Sequence, residues 1–460
     1  MKKIIAMLLA LVMVFALVAC AAKTETPTEP ATENPATENP AAETPAADEP
    51  AAEEPAEEPA ATASGKVYYL NFKPEFDTAL QQLAADYTAK TGVEVKVVTA
   101  ASGTYSDTLT AEMAKSDAPT IFNIGNVAGL NDWDEYAIDL TGTAIAEEQS
   151  STTFNLYNDA GELKALGHCY ESYGIIVNKD LLAAAGYAVE DITDFESLKA
   201  VADDIHARAD ELGFDAFSAP GLHDSSSWRF SGHLANLPLY YQGVNTNVPT
   251  ITDEYLDNFK AIWDLYITDT AIDATTLTSS TGDESKAEFT EGKAVFYQNG
   301  TWEYASLIEA GMTDDQLQMI PIYCGADGEE NAALCSGTEN CWAINANASA
   351  EDQQASIDFL VWLVTDPAAS ATYVEQLGAV PFKNCPASTN KFINDGNALL
   401  ADGKYAIAWA FNYTPNVDSW RATVVTALAA YSADQSDANW EQVVSAFVDG
   451  WAIEYETVNG

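Results

Sequence analysis

Residues 66–98 confine the chain to a small set of folds. KVYYLNF (66–72) is a strand-like run, and after it Phe76, Leu80, Leu83 and Tyr87 fall on one face of a helical pattern that Gly92 stops. VEVKVV (93–98) then alternates as a second strand, completing a strand–helix–strand unit of the kind that builds an α/β sheet. The alternation persists. A helix-like stretch from Tyr105 to Lys115 leads through Ala118 and Pro119 into the apolar strand TIFNI (120–124), and SYGIIVNKDLLAAAG (172–186) reads as strand then helix. EDQQASIDFLVWLVTDP (351–367) is an amphipathic helix ended by Pro367, with Trp362 expected in its core face. No long segment of pure β pattern appears, so the fold class is α/β.

The residues before this body obey different physics. Lys2 and Lys3 precede an apolar run of sixteen residues, Ile4 to Ala19, and together they make the charged and hydrophobic regions of an export signal. A spanning helix needs roughly 20 apolar residues, so the run is short for a membrane span. Leu17, Val18, Ala19 and Cys20 resemble the lipobox of bacterial lipoproteins, which implies a signal peptide over 1–19 and a diacylated Cys20 as the lipid attachment point. Two acyl chains suffice for stable anchoring where one is marginal. Residues 20–65 then form an acidic Pro/Ala/Glu tether, with prolines at 30, 35, 40, 45, 50 and 55. With no aromatic or β-branched aliphatic residue from Ala21 to Ala63, this tract cannot bury enough surface to offset the entropy of ordering. Its expected reach is on the order of 100 Å if largely extended.

The body, 66–460, carries 59 acidic against 17 basic residues within a chain of net charge −50. Such a field repels nucleic acid and anionic surfaces and favours neutral or cationic ligands. Besides Cys20 the chain has Cys169, Cys324, Cys335, Cys341 and Cys385, an odd and sparse set, so the fold does not depend on a disulfide framework. Export permits a bridge among Cys324, Cys335 and Cys341 without selecting a pair. No CxxC and no nearby histidine accompany them, and no metal site or cofactor is expected.

The order TGVEVKVV, DAPTIFNIGN, YESYGIIVNKDLLAAAG, FTEGKAVFYQNGTWEYASLI and WLVTDPAAS resembles the extracellular solute-binding proteins of family 1, the maltose-binding-protein-like receptors of carbohydrate ABC importers. The resemblance covers essentially the whole body. It implies two α/β lobes joined by hinge strands, lobe 1 being about 66–172 and 299–346 and lobe 2 about 177–295 and 351–460. The first crossing is expected near Glu171 to Ile176 and the return near Ala294 to Asn299. It also implies a monomer held to the outer face of the plasma membrane by its lipid, with a carbohydrate ligand and ABC permease subunits as partners.

A sugar presents an apolar ring face and a belt of hydroxyls, so its site needs aromatic faces beside amides, carboxylates or guanidinium groups. The resemblance puts Trp302, in NGTW, and Trp420, in NVDSW, at stacking positions, with Trp409 in the approach to the second. It places the carboxylate of Glu171 against sugar hydroxyls, a hinge salt bridge being the alternative role. Trp228, in HDSSSWRF, has no helical or strand period around it, as in a cleft loop. Arg229 beside it offers a fork of donors or a surface salt bridge. Asn123 and Asn126 follow a strand at its carboxyl end, where open α/β sheets bind ligands, and Asn126 lies in the loop. The family often has a charged residue near Asn126, so this chain departs from it there.

A surface glycoside hydrolase is the rival reading, because tryptophans and paired acids describe one too. The chain has no GxSxG, HExxH or Walker loop, and His168, His206, His223 and His233 are its four histidines. A receptor for a non-sugar solute and an adhesion or scaffold lipoprotein are the remaining alternatives. The expected function is non-enzymatic capture and delivery of a sugar or oligosaccharide.

Overall fold

The structure is a computed structural model and describes residues 65–378 and 380–460. The export signal, Cys20 and the tether lie outside the described residues. In chain order, β1 (Lys66–Asn71), β2 (Glu94–Thr99), β3 (Ile121–Asn123), β4 (Leu156–Tyr157) and β5 (Leu163–Gly167) belong to a first sheet. The next five, β6 (Glu171–Asn178), β7 (Asp215–Phe217), β8 (Ala294–Gly300), β9 (Leu317–Ile320) and β10 (Ala332–Gly337), build a second. β11 (Cys341–Ile344) returns to the first sheet and β12 (Tyr405–Ala408) to the second.

The opening unit forms as its pattern requires. Helix Asp77–Thr91 buries Leu80, Leu83, Ala84 and Tyr87, and Gly92 ends it at φ 80°, with its N–H donating to the Thr88 carbonyl. That reversal lets β2 lie parallel to β1 in unbroken register from Lys66↔Glu94 to Asn71↔Thr99. β3 flanks β1 on the other side, and β11 continues the sheet antiparallel to β3. In the second sheet β6 is central, paired with β8 from Tyr173↔Gly300 to Val177↔Phe296 and with β9 and β10.

Each sheet carries its own core. Val67, Leu80, Ile121, Trp342, Phe359, Leu363 and Tyr373 share one, while Tyr173, Ile175, Trp263, Phe296, Trp420, Phe447 and Trp451 share the other. Trp362 is partly buried, packed on the first core beside Tyr87 and Phe359.

The lobe boundaries differ from those expected. β6 and β8 are zipped together within one sheet, so neither Glu171 to Ile176 nor Ala294 to Asn299 joins the lobes. The chain crosses between β5 and β6 at 168–170 and returns between β10 and β11 at 338–340. It crosses a third time between Phe382 and Phe392, which pack on different cores. Residues 299–337 therefore belong with the second lobe, and helices Ala350–Thr365 and Pro367–Leu377 with the first, because Phe359, Leu360, Leu363 and Tyr373 bury against its sheet. All five described cysteines are unbridged. Among the described residues no helix is long and apolar enough to cross a membrane.

Candidate functional site

Between the two sheets lies a cavity of about 700 Å³, lined from both lobes. Three parallel strands of the first lobe deliver its near wall. Phe72 follows β1, Ala101 and Ser102 follow β2, and Asn123 to Asn126 close β3, so the loops at three carboxyl ends converge. Tyr105 and Trp133 complete this wall, with Tyr105 edge-on to Phe72 at 5.3 Å.

The far wall is aromatic. Trp302 follows β8 and folds back over Gly300, where an added Cβ would sit 2.1 Å from its ring. Trp409 follows β12 and covers Gly337 of β10 in the same way, at 2.4 Å. The two glycines are thus required by close approach of indole rings to the sheet. Trp228 precedes a π-helical turn, Arg229–Leu234, closed by a bond from Ala235 N–H to the Phe230 carbonyl. Such turns recur at functional sites. This one brings His233 under Trp228, at 5.0 Å, and beside Trp302 and Trp409, at 5.4 and 5.7 Å. Its imidazole stacks on Tyr173 at 4.1 Å, and burial, reinforced by Arg421 and Arg229, pushes its pKa well below the ordinary value. Both effects favour the neutral ring, which lines the cavity.

The crossings form the floor. Glu171 is 5 % exposed and accepts from Lys73 Nζ at 2.6 Å through Oε1 and from Asn340 Nδ2 at 2.8 Å through Oε2. Lys73 also pairs with Glu75 at 2.8 Å. Burial alone would lower the Lys73 pKa, but Glu171 and Glu75 reverse this and hold it above the ordinary lysine range. One buried ion pair thus ties the first lobe to the first two crossings. Thr338 Oγ1 adds a bond to the Cys169 carbonyl at 2.6 Å. Glu339, between Thr338 and Asn340, turns its carboxylate into the cavity 3.7 Å from Arg421. Burial raises its pKa above the usual carboxylate range, against the opposing pull of Arg421.

Five of the six expected ligand residues, Trp302, Trp228, Trp409, Glu171 and Asn126, line this one cavity. Trp420 does not. It is 0 % exposed, donates its indole N–H to the Phe447 carbonyl at 2.9 Å and packs edge-on against Phe447 and Trp451, so it is a core residue. Arg229 forms neither a ligand fork nor a surface salt bridge: it is 1 % exposed and donates to Ser226, Ser285 and the carbonyls of Gln298 and Ala219, anchoring the π-helical turn from within. Asn123 spends its amide on Glu339 O and Cys341 N–H, stapling β3 to the second crossing. Asn126 caps helix Val127–Trp133 by accepting from Gly129 N–H at 2.8 Å. Sequence reasoning missed Glu339, Arg421 and His233 as cavity residues. The signal for His233 was its place five residues after Trp228, but a π-helical turn is not legible from spacing.

Two α/β lobes, three crossings and a ligand-sized cavity between them define the class of two-lobed binding proteins. The family model for bacterial extracellular solute-binding proteins matches residues 82–399, and the chain belongs to that family. Solved structures agree in fold. RafE in complex with raffinose superposes with a TM-score of 0.67 at 15 % identity, covering 84 % of this chain and 99 % of RafE. A chitin oligosaccharide binding protein gives 0.65 at 16 %, covering 86 % and 99 %. The mannobiose complex of an ABC-transporter binding protein from Bifidobacterium animalis subsp. lactis gives 0.57 at 16 %, covering 86 % and 95 %. No curated protein matches the sequence significantly.

Proposed function

We propose that this chain is the extracytoplasmic substrate-binding lipoprotein of an ABC importer, anchored through Cys20, that captures a sugar or oligosaccharide by lobe closure and delivers it to the permease without chemical change. The observation that carries this reading is the cavity's composition: three tryptophan faces on one wall and amides and charged side chains on the others, contributed by both lobes. Stacking answers the ring face, and the polar groups answer the hydroxyls. A ligand that touches both lobes stabilises the closed arrangement by its difference in affinity for the two states. The sugar ligands named for three structures of the same fold support the substrate class.

Tryptophan fluorescence and thermal shift across a panel of neutral mono- and oligosaccharides test it. A saturable fluorescence change and a raised midpoint, with the sugar recovered intact, are expected for at least one member. Product in the mixture favours a glycoside hydrolase; a response only to amino acids, peptides or metals overturns the substrate class.

A further inference from the structure

Glu339 and Arg421 form a charged pair that the protein itself leaves incomplete. The Glu339 backbone is held from both lobes: its carbonyl accepts from Asn123, Asn340 N–H donates to Thr338 Oγ1 at 2.8 Å, and Asn412 donates to the Thr338 carbonyl at 2.9 Å. Its side chain is only 20 % exposed, and its carboxylate receives no hydrogen bond from any described residue. Arg421 follows Trp420, which is sealed in the core. The guanidinium lies against Gly232, where a Cβ would meet Nη2 at 2.8 Å, and over the Phe411 ring at 5.0 Å. Its Nε is buried without a hydrogen-bond partner among the described residues. The gap of 3.7 Å exceeds hydrogen-bond length. Glu339 and Arg421, an acceptor and a donor group, therefore line the same cavity without a side-chain hydrogen bond to each other or to any described residue.

We infer that Glu339 and Arg421 are the specificity-determining polar reader of this site, completed by a ligand hydroxyl that donates to the carboxylate and accepts from the guanidinium. The inference rests on the carbohydrate reading above and narrows it to an uncharged ligand at this subsite. An ammonium placed there satisfies Glu339 but meets Arg421; a carboxylate or phosphate satisfies Arg421 but meets Glu339. Each charged group is rejected by one member of the pair, and a group that both donates and accepts is rejected by neither. Gly232 immediately precedes His233, so the pair borders the aromatic wall and sets a hydroxyl reader next to the ring faces.

Calorimetric titration of the wild-type protein, Glu339→Gln, Arg421→Gln and the double variant tests this, using neutral oligosaccharides and their uronic-acid and amino-sugar counterparts. Wild type is expected to prefer the neutral member. Each single substitution lowers that affinity about tenfold or more, and the double variant loses less than the product of the two because one hydroxyl serves both groups. Glu339→Gln narrows the discrimination against the uronic acid, and Arg421→Gln narrows it against the amino sugar, a change in charge preference that a purely structural pair would not produce. Single variants that bind as wild type show a solvent-bridged structural pair and overturn the inference, as does a wild type that prefers a charged sugar. Binding of no sugar of any charge overturns the underlying functional reading instead.

Discussion

Trp302 and Trp420 carry the same side chain and the family resemblance implies the same stacking role for both, yet one lines the cavity and the other is sealed in the second core. The distinction was legible. Trp420, Val424, Ala427, Leu428 and Tyr431 recur at helical spacing, and all five are buried on one face of helix Val417–Ala433. Arg421, one residue on, points away from that stripe and into the cavity. Trp302 has no such stripe, and the glycine two residues before it marks a ring folded over a strand. Opposite outcomes are expected for the two alanine variants. Trp420→Ala should cost about 3–5 kcal/mol in chemical denaturation, whereas Trp302→Ala should lower sugar affinity about tenfold or more with a smaller loss of stability. A Trp302→Ala protein that binds as wild type removes that indole from the site.

Strands and helices were readable wherever period and punctuation agreed, as at Leu80, Leu83 and Tyr87 before Gly92. The return crossing was not, because which sheet a strand joins depends on partners more than a hundred residues away: β6 pairs with β8, but β11 pairs with β3 and β5, whereas the first crossing falls directly before the expected Glu171. Glu171 shows the consequence. It lines the cavity, and its two oxygens are already engaged by Lys73 and Asn340 beside the crossing. Its main work is thus to hold the lobe junction. Glu171→Gln leaves the Lys73 charge with Glu75 alone, and a loss of about 3 kcal/mol in unfolding free energy is expected. A loss below about 1 kcal/mol places the junction's stability elsewhere.

At the scale of the whole molecule, the two lobes have separate cores and meet through three crossings, an arrangement suited to hinge motion about a shared cavity. The α/β class and the two-lobed plan were accessible from motif order in the sequence; the position of the floor, built by Glu171, Glu339 and Asn340, needed the fold. On the proposed function, ligand contact with both walls couples capture to closure, since a solute that touched one lobe alone would shift nothing. Small-angle X-ray scattering of the protein across the saccharide panel reads that coupling most directly. A saturable fall in radius of gyration is expected with at least one neutral saccharide, which is recovered unchanged; an invariant radius with every saccharide that binds would contradict closure of the lobes around their ligand.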